Sequence, residues 1–359
     1  DSTNWIRRGL AVALILIGAL AGAASHMSRF FVLEPRGAAR EIGTLTRLLG
    51  TPPDVTIDPR AQVTSPWDIM INQIAELARD GGEGRHGSCG MGFGETVGRS
   101  ESGPGLTVRD ILDDGLEDKV RRIRDEWAPD RVAAMGFSVP ERMAGAFRSE
   151  DLVRDWVRGA RGVMLSYGLR DDEDLGRSDE VIFEGAQGLA LDMFSEDFPH
   201  VTRSETGIAN MLRIAESAGL SQIDVTYMTR AYATRHGAGP FPKEGEQGPV
   251  DFVDETNAPN AWQGAIRIGA LDTAGMAARI LKDLRLANPS PVLIRPSVGV
   301  SCLDQVGAFA RIGDVLAGPA VVAEEIGAGV ALPVSLTSCG PSRTDVRIGT
   351  PEMEAAEPR

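Results

Sequence analysis

The feature that most constrains this fold is a change of hydrophobic period along the second half of the chain. Ile208, Met211, Leu212 and Ala215 recur at helical spacing, and Gly219 stands where such a helix would stop. Ile223 to Met228 then has the pattern of a strand. Asp272 to Leu286 has that of a helix with Met276, Ile280 and Leu284 on its apolar side, and Pro291 to Ile294 and Val298 to Ser301 are again extended. Parallel strands need a long crossover between them, and a helix supplies it. The expected fold class is therefore α/β, with a mostly parallel central sheet flanked by helices. No internal repeat or low-complexity tract interrupts the pattern.

The first half is less regular. Residues 51 to 66 are polar and Pro-rich, which suggests a loop. Ser65-Pro66-Trp67-Asp68 is a helix start: Ser65 can cap, Pro66 fits the first turn, and Asp68 suits the positive end. Trp67, Ile71, Ile74 and Ala78 follow at helical spacing. Gly81 to Gly105 reads as a long glycine-rich loop, residues 108 to 161 as charged and mostly helical, and Val181 to Phe183 as a short buried strand.

A chain of 359 residues suits one large domain or two medium ones. A net charge of −14 argues against a nucleic-acid backbone as partner, since nothing would neutralise phosphates over a broad face. A mononucleotide needs only a few local donors and stays open. Cys89, Cys302 and Cys339 are too widely spaced for zinc and too few for a disulfide framework, so a reducing compartment is expected. The start of the chain points elsewhere. Arg7 and Arg8 precede an apolar run from Leu10 to Ala24, with Ala21-Gly-Ala23 resembling a cleavage site. That run, within residues 7–24, is too short for a membrane span. Three origins fit residues 1–30: an export signal, a buried strand and turn of the main domain, or a foreign segment. The last rests on Ser25-His26-Met27, which resembles a cloning scar before a native start at Met27. The expected division is a signal-like or foreign segment over residues 1–30 and one main domain over 31–359.

Several segments carry chemistry. In Gly87-Ser-Cys-Gly-Met-Gly-Phe-Gly-Glu95 the glycines allow backbone N–H groups to converge on an anion, and Ser88 adds a hydroxyl. A surface loop with no ligand is the alternative. It is not a Walker loop, because no Gly-Lys-Ser/Thr follows. Glu184-Gly-Ala-Gln-Gly188 follows an expected strand, so it would lie at a strand's carboxyl end, where open α/β sheets bind ligands. Gln187 offers a donor and an acceptor to a purine edge or phosphate, or else solvates a tight turn. His200 alone reads as a structural histidine.

Three segments in order, Val181-Ile-Phe-Glu-Gly-Ala-Gln-Gly188, Phe198-Pro-His-Val-Thr202 and Arg230-Ala-Tyr-Ala-Thr-Arg-His-Gly-Ala-Gly-Pro-Phe-Pro242, resemble adenylosuccinate synthetase, the ligase that joins aspartate to a purine nucleotide. The resemblance runs from about Val32 to Arg347 and is most specific between Gly87 and Pro242. It implies a P-loop-NTPase-like synthetase fold. In that family a Gly-Thr-Thr-Gly-Arg-Gly-Ile-Gly-Pro loop grips the substrate phosphate. The resemblance thus implies phosphate contacts from Ser88, Cys89 and Gly90, with Met91 where the family has arginine. Arg99 falls on the arginine that reaches the neighbouring subunit's nucleotide, which implies a homodimer. Gln187 and Thr202 fall on nucleotide-contacting residues, and His200 stands where the family usually has tyrosine.

Asp254 to Asp272 occupies the place of the aspartate-binding loop. Guanidinium groups suit a carboxylate because they bond it bidentately. The family carries Thr-Thr-Gly-Arg-x-Arg-Arg there; here Arg267 remains, and Thr256, Asn257, Asn260 and Gln263 are neutral replacements. Thr256, Asn257, Gln263 and Arg267 are the implied amino-acid site, and the departure points to a divergent subfamily, like the phage enzymes acting on 2-amino purine deoxynucleotides. Ser301-Cys-Leu-Asp304 resembles the family's Thr-Lys-Leu-Asp, in which the carboxylate accepts from guanine N1–H and the 2-amino group. Cys302 replaces the lysine. Gly340-Pro-Ser-Arg343 resembles the Gly-Pro-Asp-Arg wall of that base pocket, so Asp304, Gly340 and Pro341 are the implied GTP-base residues.

The implied chemistry is phosphorylation of a purine 6-oxygen by GTP, then displacement of that phosphate by aspartate, with Mg2+ as cofactor and a cytoplasmic setting. The family's Gly-Asp-Glu-Gly-Lys-Gly loop and Asn-Ala-Gly-His segment, which carry its catalytic aspartate and histidine, are not in this sequence. Catalytic and metal-binding residues are therefore unassigned, Glu95 being the first substitute base to consider, and little or no ligase activity is expected of this stretch of chain. Three classes remain: a ligase of this family, a non-catalytic nucleotide-binding relative, and an exported binding protein resting on residues 7–24 alone.

Overall fold

The computed structural model describes residues 24–79, 86–185, 187–246, 264–306, 310–312 and 315–349. The chain forms two compact units. The first comprises Asp1–Gln187 with Thr202–Ser204 and Asn260–Gln263; the second comprises Gly188–Val201, Glu205–Pro259 and Gly264–Arg359.

In the first unit, β1 (Ser25–Met27) and β2 (Val32–Leu33) precede α1 (Pro35–Leu49), and β3 (Val55–Ile57) and β4 (Gln62–Val63) precede α2 (Pro66–Ala78). Then come α3 (Phe93–Ser102), α4 (Val108–Ile111), α5 (Leu116–Arg122), α6 (Ala128–Ala134), α7 (Glu141–Phe147), α8 (Glu150–Met164) and β5 (Gly168–Leu169). Strands β1, β3 and β5 form a parallel three-stranded sheet, and β2 pairs in parallel with β4. Helix α1 buries Pro35, Ala38, Ile42 and Leu45, one stripe of its surface. Trp67 and Trp156 lie at the centre of the core, and the Trp67 Nε1–H donates to Phe147 O at 2.8 Å.

Two expectations fail here, and of the three origins left open for residues 1–30 a strand of the main domain fits the described end of that segment. Ser25–Met27, set apart with the first thirty residues, is a strand of the sheet: Ser25 pairs with Val55, and the His26 ring reaches Thr56 Oγ1 at 3.0 Å and the buried Asp172 at 2.9 Å. Residues 51 to 66 hold two short strands rather than a loop, the Val55 and Ile57 positions facing the core. The stretch from Gly81 to Gly105 contains α3, which Gly94 and Gly98 hide because glycine is a poor helix former.

In the second unit, α9 (Ala209–Ala218) ends at Gly219, whose φ of 70° is the left-handed cap the sequence called for. It is followed by β6 (Gln222–Arg230), β7 (Ala233–Arg235), β8 (Arg267–Gly269), α10 (Thr273–Leu284), β9 (Leu293–Ser301), β10 (Ala310–Ile312), β11 (Val315–Ala317), α11 (Pro319–Val330), β12 (Val334–Ser338) and β13 (Val346–Ile348). The main sheet runs β13-β12-β9-β6: β6, β9 and β12 are parallel and β13 is antiparallel. The two extended stretches expected after Asn288 are one strand, in register with β6 from Gln222↔Leu293 to Arg230↔Ser301. Helices α10 and α11 bring Ile280, Val322, Ile326 and Val330 against Val298 and Val300. Buried Asp283 of α10 caps the start of α9, accepting from Ile208 N–H at 3.1 Å and from Tyr227 OH at 2.7 Å. A Cβ at Gly207 would lie 2.0 Å from that carboxylate, so glycine is required there. The fold is mixed α/β with parallel strands flanked by helices, as the alternation of periods implied.

Val181 to Phe183, expected as a buried strand, is irregular, and Ile182 is 80% exposed. Three apolar residues after Asp179 and Glu180 are too few to specify a strand. Gln187 therefore does not follow a strand's carboxyl end.

Candidate functional site

Helix α2 shapes the glycine loop from beneath. Ser65 caps it in a reciprocal capping box with Asp68, and its face toward the loop carries Asp68, Asn72 and Glu76, each four residues apart and so on one stripe. Gly87 N–H and Ser88 N–H donate to the Glu76 carboxylate at 3.2 and 3.1 Å. The Asn72 amide donates to Ser88 Oγ at 2.9 Å and accepts from Gly92 N–H at 3.1 Å, and the Gln73 amide donates to Gly90 O at 3.2 Å. Gly90 N–H also reaches Ser88 Oγ, at 3.4 Å. Ser88 Oγ thus accepts from two donors, and its own O–H remains available to give to an acceptor such as phosphate. Cys89 and Met91 are exposed, while Gly87, Gly90 and Gly92 are buried.

Gly92, at φ 77°, starts α3 with no side-chain cap, so that helix presents first-turn N–H groups beside the loop. A Cβ on Gly92 would sit 2.6 Å from Ile69 N, so this position admits only glycine at its present approach to α2. Thr202–Ser204 runs along the same helix. Arg203 pairs with Glu101 at 2.5 Å and its guanidinium lies over Gly98; Thr202, its neighbour in the chain, is half-buried.

Arg99 is placed otherwise than the resemblance implied. Its side chain is completely buried, with Nε and one terminal nitrogen on Asp68 at 2.9 Å and further bonds to Pro104 O and Val63 O. It ties α3 to α2, and all three of its guanidinium nitrogens bond groups of this chain. Glu95 is also engaged: Arg131 holds it at 2.8 and 3.2 Å, and Glu95 in turn raises the Arg131 pKa. The Glu95 carboxylate is therefore committed to Arg131 of α6 rather than turned into the glycine loop. Gln187 is exposed and has φ 70°, a left-handed conformation that costs a non-glycine residue of order 1 kcal/mol.

In the second unit, the implied base residues come together at one edge. Ser301 ends β9 and Ser338 ends its parallel neighbour β12, so Cys302 to Asp304 and Cys339 to Pro341 leave the sheet side by side at its carboxyl edge. Cys302 has φ 60°, and the turn Leu303–Val306 leaves Asp304 exposed. Gly340 is closed on one side by Asp345, whose carboxylate would lie 2.5 Å from an added Cβ; Pro341 is exposed.

Arg267 of β8 does not stand free for a substrate. Glu244 takes it in a bidentate pair, at 2.8 Å for Nε, while the third nitrogen donates to Gly237 O and Gly239 O at 3.1 and 2.9 Å. The hydrogen-bonded Glu244 carboxylate raises the Arg267 pKa, and Arg267 lowers that of Glu244. Neighbouring Arg235 is buried and donates to His200 O at 2.6 Å, so His200 is fixed through its backbone, consistent with a structural role. Thr256, Asn257, Asn260 and Gln263 lie outside the described residues. Among the described residues no group of three His, Cys, Asp or Glu side chains is placed to hold a metal, so they supply no protein-built Mg2+ cage. Among them, too, no helix is long and apolar enough to cross a membrane. Glu76, Asn72 and Gln73 were missed by sequence reasoning, although polar residues four apart on an otherwise apolar helix were a visible signal.

A braced glycine loop in one unit and paired turns at the carboxyl edge of parallel strands in the other define an α/β protein of the class whose open sheets place ligand sites at strand ends. The adenylosuccinate synthetase family model matches residues 9–275, more than half of the chain, and the chain belongs to that family. The match begins inside the segment that sequence reading set apart. Adenylosuccinate synthetase of Nostoc punctiforme is 29% identical over 229 residues, 61% of this chain and 48% of that protein. That of Anaeromyxobacter dehalogenans strain 2CP-1 is 32% identical over 216 residues, 59% of this chain and 46% of that protein. The chain thus spans about half the length of the curated relatives it matches. The structure of fully ligated adenylosuccinate synthetase from Plasmodium falciparum aligns with a TM-score of 0.62 at 13% identity, covering 96% of this chain and 98% of that one, a likeness of fold alone.

Proposed function

We propose that this chain forms the nucleotide sites of a ligase of purine nucleotide biosynthesis, which uses GTP to join aspartate to the 6-position of IMP or a related purine nucleotide and gives adenylosuccinate. The observation that carries the reading is the glycine loop, held by α2 so that the Ser88 hydroxyl is a donor. In this reading Ser88, Cys89, Gly90 and Thr202 hold the monophosphate, and strained Gln187 meets the nucleotide. Asp304 accepts from guanine, with Gly340 and Pro341 as the pocket wall. Arg267, Thr256, Asn257 and Gln263 meet the amino acid. A carbonyl oxygen is a poor leaving group. Transfer of the GTP γ-phosphoryl to the purine 6-oxygen makes one, and the aspartate nitrogen then bonds to C6 as inorganic phosphate departs. Mg2+ belongs with the GTP phosphates, since it keeps several waters and few protein ligands at such sites. A homodimer in the cytoplasm completes the reading.

A second reading, nucleotide binding without ligation, is favoured by one observation: Arg267 is already neutralised by Glu244. Calorimetry with IMP on the wild type and Gln187→Ala, and phosphate release with GTP, IMP and aspartate, separate the two. Binding weakened by the substitution, with aspartate-dependent phosphate release, supports the ligase. Aspartate that binds beside IMP supports the ligase site even where release is slow, IMP binding with no aspartate uptake supports the second reading, and equal IMP affinity in both proteins removes Gln187 from the site.

A further inference from the structure

The Glu76 carboxylate is 3% exposed and sits where an anion-binding loop would be expected to hold a ligand's oxygens, on the N–H groups of Gly87 and Ser88. A phosphate arriving from solvent cannot reach those two donors without expelling a buried carboxylate. They are therefore spent on the loop's shape. Two turns of one helix fix the rest of it: Asn72 bridges Ser88 and Gly92, and Gln73 holds Gly90. The amide of Asn72 is used at both ends, so its orientation is set, and with it the direction in which Ser88 can donate.

We infer that Glu76 is the positioning residue of the phosphate loop: its buried carboxylate holds Gly87 and Ser88 in place before any nucleotide arrives, leaving the Ser88 hydroxyl for the ligand. The inference rests on the reading of this loop as the monophosphate site. A fixed negative charge beneath a phosphate site opposes binding, so Glu76 has two effects of opposite sign. Pre-organisation is the larger. Without it the ligand must order a loop with glycines at 87, 90 and 92, which have the most backbone freedom to lose. Donors fixed within about half an ångström of their working positions are what such a site needs.

The test compares the wild type with Glu76→Gln and Glu76→Ala. A glutamine keeps the size but turns one N–H2 group toward an amide that needs an acceptor. Amide hydrogen exchange without ligand should speed up at least tenfold at Gly87 and Ser88 in both variants while α8 exchanges as before. The melting midpoint by tryptophan fluorescence should stay within a few degrees. IMP affinity by calorimetry should fall at least tenfold. Unchanged exchange at the two amides overturns the inference. So does tighter IMP binding by Glu76→Gln, which would make the carboxylate a competitor for the loop rather than its brace. A wild type that takes up no IMP, with the exchange result as expected, sinks the nucleotide reading and leaves the brace standing.

Discussion

Arg99 and Glu41 are both titratable groups drawn away from water, the first wholly and the second in part, and they contribute in opposite ways. Arg99 is fully buried but balanced, its fork on Asp68 and its remaining donors on two carbonyls. Removing one partner of a buried ion pair strands the other, which costs about 3–5 kcal/mol. Asp68→Ala is expected to destabilise the first unit by that amount in urea titration, and a loss under 1 kcal/mol would mean that water replaces the carboxylate. Glu41 has no such balance: burial pushes its carboxyl up to about 7, with Arg40 opposing and Glu34 adding to the rise. The folded chain holds this proton more tightly than the unfolded chain, so the contribution is full below the ordinary value of 4.5 and is lost as pH rises through about 7. Glu41→Gln should match the wild type in stability near pH 4 and exceed it by about 2 kcal/mol at pH 8. Equal stability of the two proteins at pH 8 would refute the burial account.

At the scale of elements, legibility followed how local the determining physics is. The start of α2 could be read from Ser65, Pro66 and Asp68 because capping is settled within one turn, and the end of α9 from Gly219 for the same reason. Helix α3 could not. Its stabilisation comes from Thr96 bonding Thr64 and Arg99 bonding Asp68, contacts over thirty residues distant that no local pattern records. The same holds for the site. Asp304 and Gly340 were singled out by motif, but that they lie side by side follows only from the parallel pairing of β9 and β12. Arg267 was correctly marked as the lone basic residue of its loop, yet its partner Glu244 lies 23 positions away. The glycine loop shows what an element asks of one residue. Gly92→Ala adds a left-handed strain of about 1 kcal/mol and a methyl 2.6 Å from the α2 backbone, a shift that typically costs about 1–3 kcal/mol more. We expect a loss of about 2–4 kcal/mol by denaturant titration together with weakened IMP binding. A variant as stable as the wild type would mean that α3 can move away from α2 freely.

At the scale of the whole molecule, the division of the chain separates the proposed ligands. Ser88, Gln187 and Thr202 belong to the first unit, and Asp304 and Gly340 to the second. Each unit has its own hydrophobic core, one around Trp67 and Trp156 and one around Val298 and Ile326. A chain of two such units need not melt in one transition. Tryptophan distinguishes them: Trp67, Trp127 and Trp156 lie in the first unit, and the described residues of the second have none. A ligand at one hundred times its dissociation constant stabilises the unit that binds it by about 2.7 kcal/mol, which for units of this size is a rise of roughly 5–10 °C. IMP is therefore expected to raise the midpoint followed by tryptophan emission, and GTP to raise a transition seen in far-ultraviolet circular dichroism while the emission midpoint stays put. If GTP raised the tryptophan midpoint as much as IMP did, the two nucleotides would share the first unit, and the assignment of Asp304 and Gly340 to the guanine site would have to be abandoned.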